Sequence, residues 1–161
     1  DDTEVFRRHS TRSPRELTGN VTMDRDLSHF TCGLADAFKR VAKALRRGAP
    51  FVFTYHHNAL DAYFPIAIAM LDAGLVCSAS LPCPGEMGGS IHISGTGSSI
   101  IDTVFVCRST GLVNRNTIVS TPKEIADLVL RDCIQLSQAG IECTSGYLIC
   151  IAFGHLLRLV D

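Results

Sequence analysis

The residues best suited to chemistry are a His56-His57-Asn58 run and a Gly/Pro-rich stretch, Pro82 to Ser90, that holds Glu86 and Met87. Imidazoles and amides orient polar ligands, a carboxylate accepts from an amino group, and a methionine packs on a flat ring. Each residue also has a plainer reading. One histidine would pack under a sheet while the other bonds a loop, and Glu86 would be exposed with Met87 tucked into the core. A nucleophilic or metal-binding histidine has less support, because the nearest partners, His92 and Asp61, fall on other elements. The seven cysteines (Cys32, Cys77, Cys83, Cys107, Cys133, Cys143 and Cys150) are odd in number and widely spaced. They contain no Cys-x-x-Cys pair, which argues against a structural zinc site. Most lie in or beside apolar stretches, where a free cysteine acts as a small buried hydrophobe. This usage predicts a reducing, cytoplasmic setting.

The elements that position these residues follow from patterning. The chain has 161 residues, 46% of them hydrophobic and 19% charged, with a formal net charge of -1. That is one domain's length with enough apolar content for a core, and it excludes a globally basic nucleic-acid grip. Charge is uneven: residues 1–47 carry 10 Lys and Arg against 7 Asp and Glu, and no Lys or Arg falls between Gly48 and Cys107. The middle therefore lacks the cations of a side-chain phosphate clamp, and any phosphate gripping falls to the first 47 residues or to parts outside this chain. No apolar run reaches the ~18 residues of a membrane span. The start, Asp1-Asp2-Thr3, lacks a signal peptide's basic and apolar regions and an initiator Met, which reads as a processed chain or a piece of a longer one.

Residues 1–30 are polar and aperiodic and read as a lead-in loop, with residues 31–161 as the α/β part. Arg7, Arg8, Arg12 and Arg15 would either meet a nucleic-acid backbone or belong to a solvated tail. From Thr31, the residues Leu34, Phe38, Val41, Ala42 and Leu45 recur at helical spacing, and Gly48 and Pro50 stop the helix. Phe51-Val-Phe-Thr-Tyr55 reads as a buried strand. A second helix is expected over 61–73, with Phe64, Ala67, Ile68 and Leu71 inward; Pro65 fits only if that helix begins late or kinks. Leu75–Leu81 and Thr103–Cys107 are the next strands, without a helix between them, so this pair is expected to be antiparallel. Thr121-Pro-Lys-Glu124 is a capping-box start for a helix ending at Gly140. The apolar tail, Tyr147 to Val160, reads as a buried helix.

Several of these segments together resemble the C-terminal part of adenine-specific DNA methyltransferases, a large prokaryotic group. They are Leu45-x-x-Gly48, Phe51-Val-Phe-Thr-Tyr-His-His57, Leu71-Asp-Ala-Gly74, Pro84-Gly-Glu-Met-Gly-Gly-Ser90, Ile93-Ser-Gly-Thr96, Val104-Phe-Val-Cys-Arg108 and Ala139-Gly-Ile141. The resemblance covers about residues 30–150. It implies a Rossmann-like α/β sheet flanked by helices, whose last strands run parallel, parallel, then antiparallel as a terminal hairpin. The three strands here would be the fifth, sixth and seventh.

The resemblance also implies transfer of a methyl group from S-adenosylmethionine to the exocyclic amine of adenine by direct displacement, driven by positioning and by carbonyl acceptors on the amine. The loop of Glu86 and Met87 would then lie beside an extruded base, and His56, His57 and Asn58 would orient the base or its backbone. Arg108 would solvate the sheet edge or contact the DNA backbone. The family's Asp/Asn/Ser-Pro-Pro-Tyr/Phe motif is missing, since the chain has no Pro-Pro. Gly95-Thr-Gly97 opens no clear helix and does not replace the Gly-rich cofactor turn. The expectation is therefore the latter half of a methyltransferase domain. S-adenosylmethionine would bind the full-length form and not this chain alone, and DNA would be met through the full-length protein. Two other readings are a non-catalytic module that self-associates at an exposed sheet edge and a methyltransferase for RNA or another substrate.

Overall fold

A computed structural model describes Leu17 and residues 24–85, 101–109 and 119–159. Helix α1 spans Leu27–Ala44 and begins four residues before the expected Thr31. The cause is Asp26, whose side chain accepts the His29 backbone N–H at 2.9 Å and caps the helix. The polar lead-in therefore ends at the cap, not at residue 30. The expected apolar face holds: Phe38 is buried, and Leu34 and Ala42 pack against the same core. After α1, Gly48 at φ +80° turns the chain into β1, Phe51–Tyr55.

The next segment corrects the expected face. A 3-10 turn, Leu60–Tyr63, precedes helix α2, Phe64–Asp72, so Pro65 sits in the first turn, where its missing N–H costs nothing. The buried residues of α2 are Pro65, Ile66, Ala69 and Met70. Phe64, Ile68 and Leu71, expected inward, are 54%, 44% and 49% exposed. The helix is apolar all round, so periodicity alone does not choose its buried side; the late start at Pro65 fixes the rotation.

β2 spans Leu75–Pro84 and β3 spans Ile101–Ser109. The sheet order is β1-β3-β2, and β3 is antiparallel to both neighbours. The β2–β3 pairing matches the expectation. Among the described residues the last strand is nevertheless the central strand of the sheet, and β1 and β2 run in the same direction on either side of it. Because β2 is an edge strand, it tolerates Pro82 and Pro84 and extends past Leu81. A bulge between Cys77 and Ala79 restores the register, and the Ser78 hydroxyl there donates to the Val106 carbonyl at 3.0 Å.

Helix α3, Pro122–Gln138, starts at the anticipated capping box. The Glu124 carboxylate accepts the Ser120 and Thr121 backbone N–H groups at 2.7 and 3.0 Å, which holds its pKa below the ordinary value. Helix α4, Ser145–Leu156, is capped by Thr144 and runs on into a 3-10 turn, Leu157–Leu159. The helical reading of the tail is right and its full burial is not: Leu148 and Ile149 are 42% and 47% exposed, because only one side of α4 meets the sheet. The molecule is thus α/β, with a three-stranded antiparallel sheet and four α-helices among the described residues.

The main core joins Phe38 of α1, Tyr63, Ile66 and Met70 from the α2 region, and Leu75, Cys77, Phe105 and Cys107 from the sheet. Its aromatic spine runs from Phe38 edge-on to Phe51, ring centroids 5.0 Å apart, and from Phe53 stacked on Phe105 at 5.2 Å. Such pairs add about 1 kcal/mol each beyond their burial. A second, smaller core gathers Ile101, Cys133, Leu136 and Ile151 between α3, α4 and β3. At Gly154, α4 comes so close to the sheet that a Cβ would lie 2.6 Å from Ser80 Oγ and 2.8 Å from Thr103 Cγ2.

Candidate functional site

β1 leads its chain directly into His56, His57 and Asn58, beside the first residue of β3. The His56 Nδ1–H donates to the Ile101 carbonyl at 2.8 Å, which fixes the tautomer and ties the β1 exit to β3. His57 Nδ1 instead accepts the Ala59 backbone N–H at 3.0 Å, closing a local turn. The Cys150 thiol of α4 lies 3.8 Å from both the His57 carbonyl and the Asn58 Oδ1. Tyr55 adds a further stitch, its hydroxyl donating to the Ala62 carbonyl at 2.9 Å. Under this turn Tyr63 is 1% exposed. Burial, then the neighbouring Cys150, pushes its hydroxyl up to about 12, so it stays protonated.

His56 therefore holds structure, and His57 and Asn58 are the exposed members of the run. The loop bond of the plainer reading is made by His57, while His56 is half-buried, bonds the first residue of β3 and is not packed under the sheet. Glu86 and Met87, like Ile93–Thr96, lie outside the described residues. Arg108 stands near the end of the central strand, not at the sheet edge: its guanidinium donates to the Gly48 carbonyl at 2.8 Å, joining β3 to the turn before β1.

The turn after β1, residues 56–59, contains no glycine and opens into a 3-10 turn, so its backbone offers no bare approach for a bulky charged ligand. Two cations of the basic first segment stand away from this turn. Lys39 and Lys43 of α1 line a shallow groove of about 430 Å³ with Asp72, Gly74 and Ser109. Lys39 is paired there with Asp72 at 3.1 Å, an exposed bridge worth under about 1 kcal/mol.

The most demanding polar arrangement was not among the sequence candidates. Asp132 of α3 and His155 of α4 are 1% and 0% exposed and meet at 2.7 Å, Oδ2 to Nε2. Arg131 covers the other carboxylate oxygen, from Nε at 3.2 Å and Nη2 at 3.0 Å. Burial pushes the Asp132 carboxyl up, but the His155 and Arg131 bonds outweigh it and hold it below its ordinary value. The second His155 nitrogen, Nδ1, is buried without a hydrogen-bond partner. The pair joins α3 to α4 inside the protein. A signal for it exists in the sequence: Asp132 falls on the same helical stripe as Ile125, Val129 and Leu136.

Among the described residues no three His, Cys, Asp or Glu side chains gather at metal-binding distance. No described helix is long and apolar enough to cross a membrane. No protein-family model, curated protein or solved structure matches the chain.

Proposed function

We propose that this chain is the C-terminal half of a methyltransferase domain that, when complete, moves a methyl group from S-adenosylmethionine to an adenine amine in DNA. The observation that carries this reading is the strand order. β1 and β2 run parallel to one another, joined by α2, and the later β3 runs against both. This is the parallel, parallel, antiparallel sequence that the motif resemblance implies for the end of such a sheet. The outer edge of β1 is then where the preceding strand of the full sheet would pair.

In this reading the residues here position and do not catalyse. The His56 bond to Ile101 sets the β1 exit, and the exposed His57 and Asn58 at that exit face the bound nucleic acid. The cofactor turn and the amine-orienting Pro-Pro motif belong to the preceding half. Two observations test this. The gene sequence immediately upstream of Asp1 is expected to contain an in-frame Asp-Pro-Pro-Tyr-like motif, and its absence contradicts the reading. Calorimetric titration of S-adenosylmethionine into the chain is expected to give no micromolar binding, and such binding would show that the cofactor site is here.

One specific observation favours a second reading, a self-associating module without catalysis. The sheet face opposite the main core leaves Val52 of β1 at 51% and Leu81 of β2 at 48% exposed, on the two outer strands of the described sheet. Unpaired edges next to apolar surface invite strand pairing between chains. Sedimentation of the chain separates the two readings: a discrete dimer favours the module, and a monomer or an aggregate favours the half-domain.

A further inference from the structure

The connection between α3 and α4 brings two thiols together. After α3, Gly140 adopts φ +79° and reverses the chain. The Ile141 N–H then bonds back to the Leu136 carbonyl at 2.9 Å, so the following residues lie against the end of the helix. As a result Cys143 Sγ stands 2.6 Å from Cys133 Sγ, ten residues earlier on the buried side of α3. Both belong to the smaller core, Cys133 as a member and Cys143 packed against it.

We propose that Cys133 and Cys143 are an oxidative modification site, forming a reversible disulfide by exchange with a low-molecular-weight disulfide. The proposal does not depend on the methyltransferase reading. The two thiols differ in access: Cys133 is buried and Cys143 is half-buried in the connection. Burial, then Cys143 and Asp132, pushes the Cys133 thiol up to about 12, which keeps it protonated and unreactive at first. Cys143 therefore reacts first. Its thiolate attacks one sulfur of the oxidant disulfide and releases one thiol. Cys133 then gives its proton to solvent and attacks the Cys143 sulfur, releasing the second thiol. The protein loses two protons and two electrons, and the two released thiols account for both. The other close pair, Cys77 and Cys107, faces across β2 and β3 with 0% exposure for each, so no oxidant reaches it.

The bond would fasten the end of α3 to the connection that leads into α4, one residue from the Asp132–His155 lock. The test uses the full chain with the exposed Cys32→Ser and Cys83→Ser changes, reduced and then incubated with oxidised glutathione. Free thiols are alkylated and the digest is mapped without reduction. The expected result is a peptide joining Cys133 to Cys143, lighter by two hydrogens than its parts and split by dithiothreitol. Tm is expected to rise by roughly 5 °C on oxidation. Adding Cys143→Ser should abolish both the linked peptide and the Tm shift. A stable glutathione adduct on Cys143 without the linked peptide would overturn the proposal, as would the same Tm shift in the Cys143→Ser chain. If the substituted chains do not fold, the same map on the unsubstituted protein decides by presence or absence of the linked peptide.

Discussion

The β1 exit and the α3–α4 interface both hold histidines, and they use them in opposite ways. His56 and His57 stand in an exposed or half-exposed turn, each bonded to backbone at ordinary distance. His155 is sealed in the protein against a carboxylate at 2.7 Å. The His-His run stands out by residue type, yet its bonds are local and replaceable. His155 sits in an apolar tail that invites no functional reading, yet it bears the heavier electrostatic demand. Site chemistry is thus decided by desolvation and partners, more than by residue type.

Removing partners from the two regions should separate them clearly. Asp132→Ala leaves the buried His155 donor without its acceptor and frees the exposed Arg131, and is expected to cost about 3 kcal/mol or more in urea denaturation. An effect below about 1 kcal/mol would mean that the pair is not a lock. Gly154→Ala pushes a methyl into Ser80 and Thr103 and should cost about 1–3 kcal/mol by the same measurement. His56→Ala removes one half-buried bond between β1 and β3, with an expected loss of about 1 kcal/mol. His57→Ala should stay within about 0.5 kcal/mol, as an exposed position does. If His57→Ala destabilised more than His56→Ala, the division of labour in the turn would be reversed.

Acid sharpens the same contrast. The folded Asp132 pKa lies below its ordinary 3.8, so the unfolded chain binds that proton more readily. The stabilisation by Asp132 is complete above that ordinary value and is lost as pH falls through the lower folded value. The groups facing the carboxylate are His155, Arg131 and Arg158. Denaturation of the parent and of Asp132→Ala should therefore differ most near pH 6, and the gap should shrink toward pH 3. A gap independent of pH would contradict the assignment.

Much of the fold was legible because local signals agreed. The Thr121–Glu124 box, the Phe51–Tyr55 run and the α1 stripe each carry a cap or period that fixes one outcome. The α2 face was not legible, since Phe64, Ile68 and Leu71 are as apolar as Ile66, Ala69 and Met70, and only Pro65 sets the rotation. The placement of β3 between β1 and β2 depends on long-range pairing that no short segment specifies. In the site, the loop bond of one histidine, His57, was anticipated, and the His56 bond to β3 was not, because it depends on where β3 pairs. The Asp132–His155 lock was not, although its helical position on α3 carried the clue.

The most direct test of the central claim is methyl transfer. The gene's upstream in-frame segment is joined to this chain, and the purified protein is incubated with DNA and methyl-labelled S-adenosylmethionine. The account predicts label in N6-methyladenine with the joined protein and none with the 161-residue chain alone. Transfer by the short chain alone, or none by the folded joined protein, would contradict it.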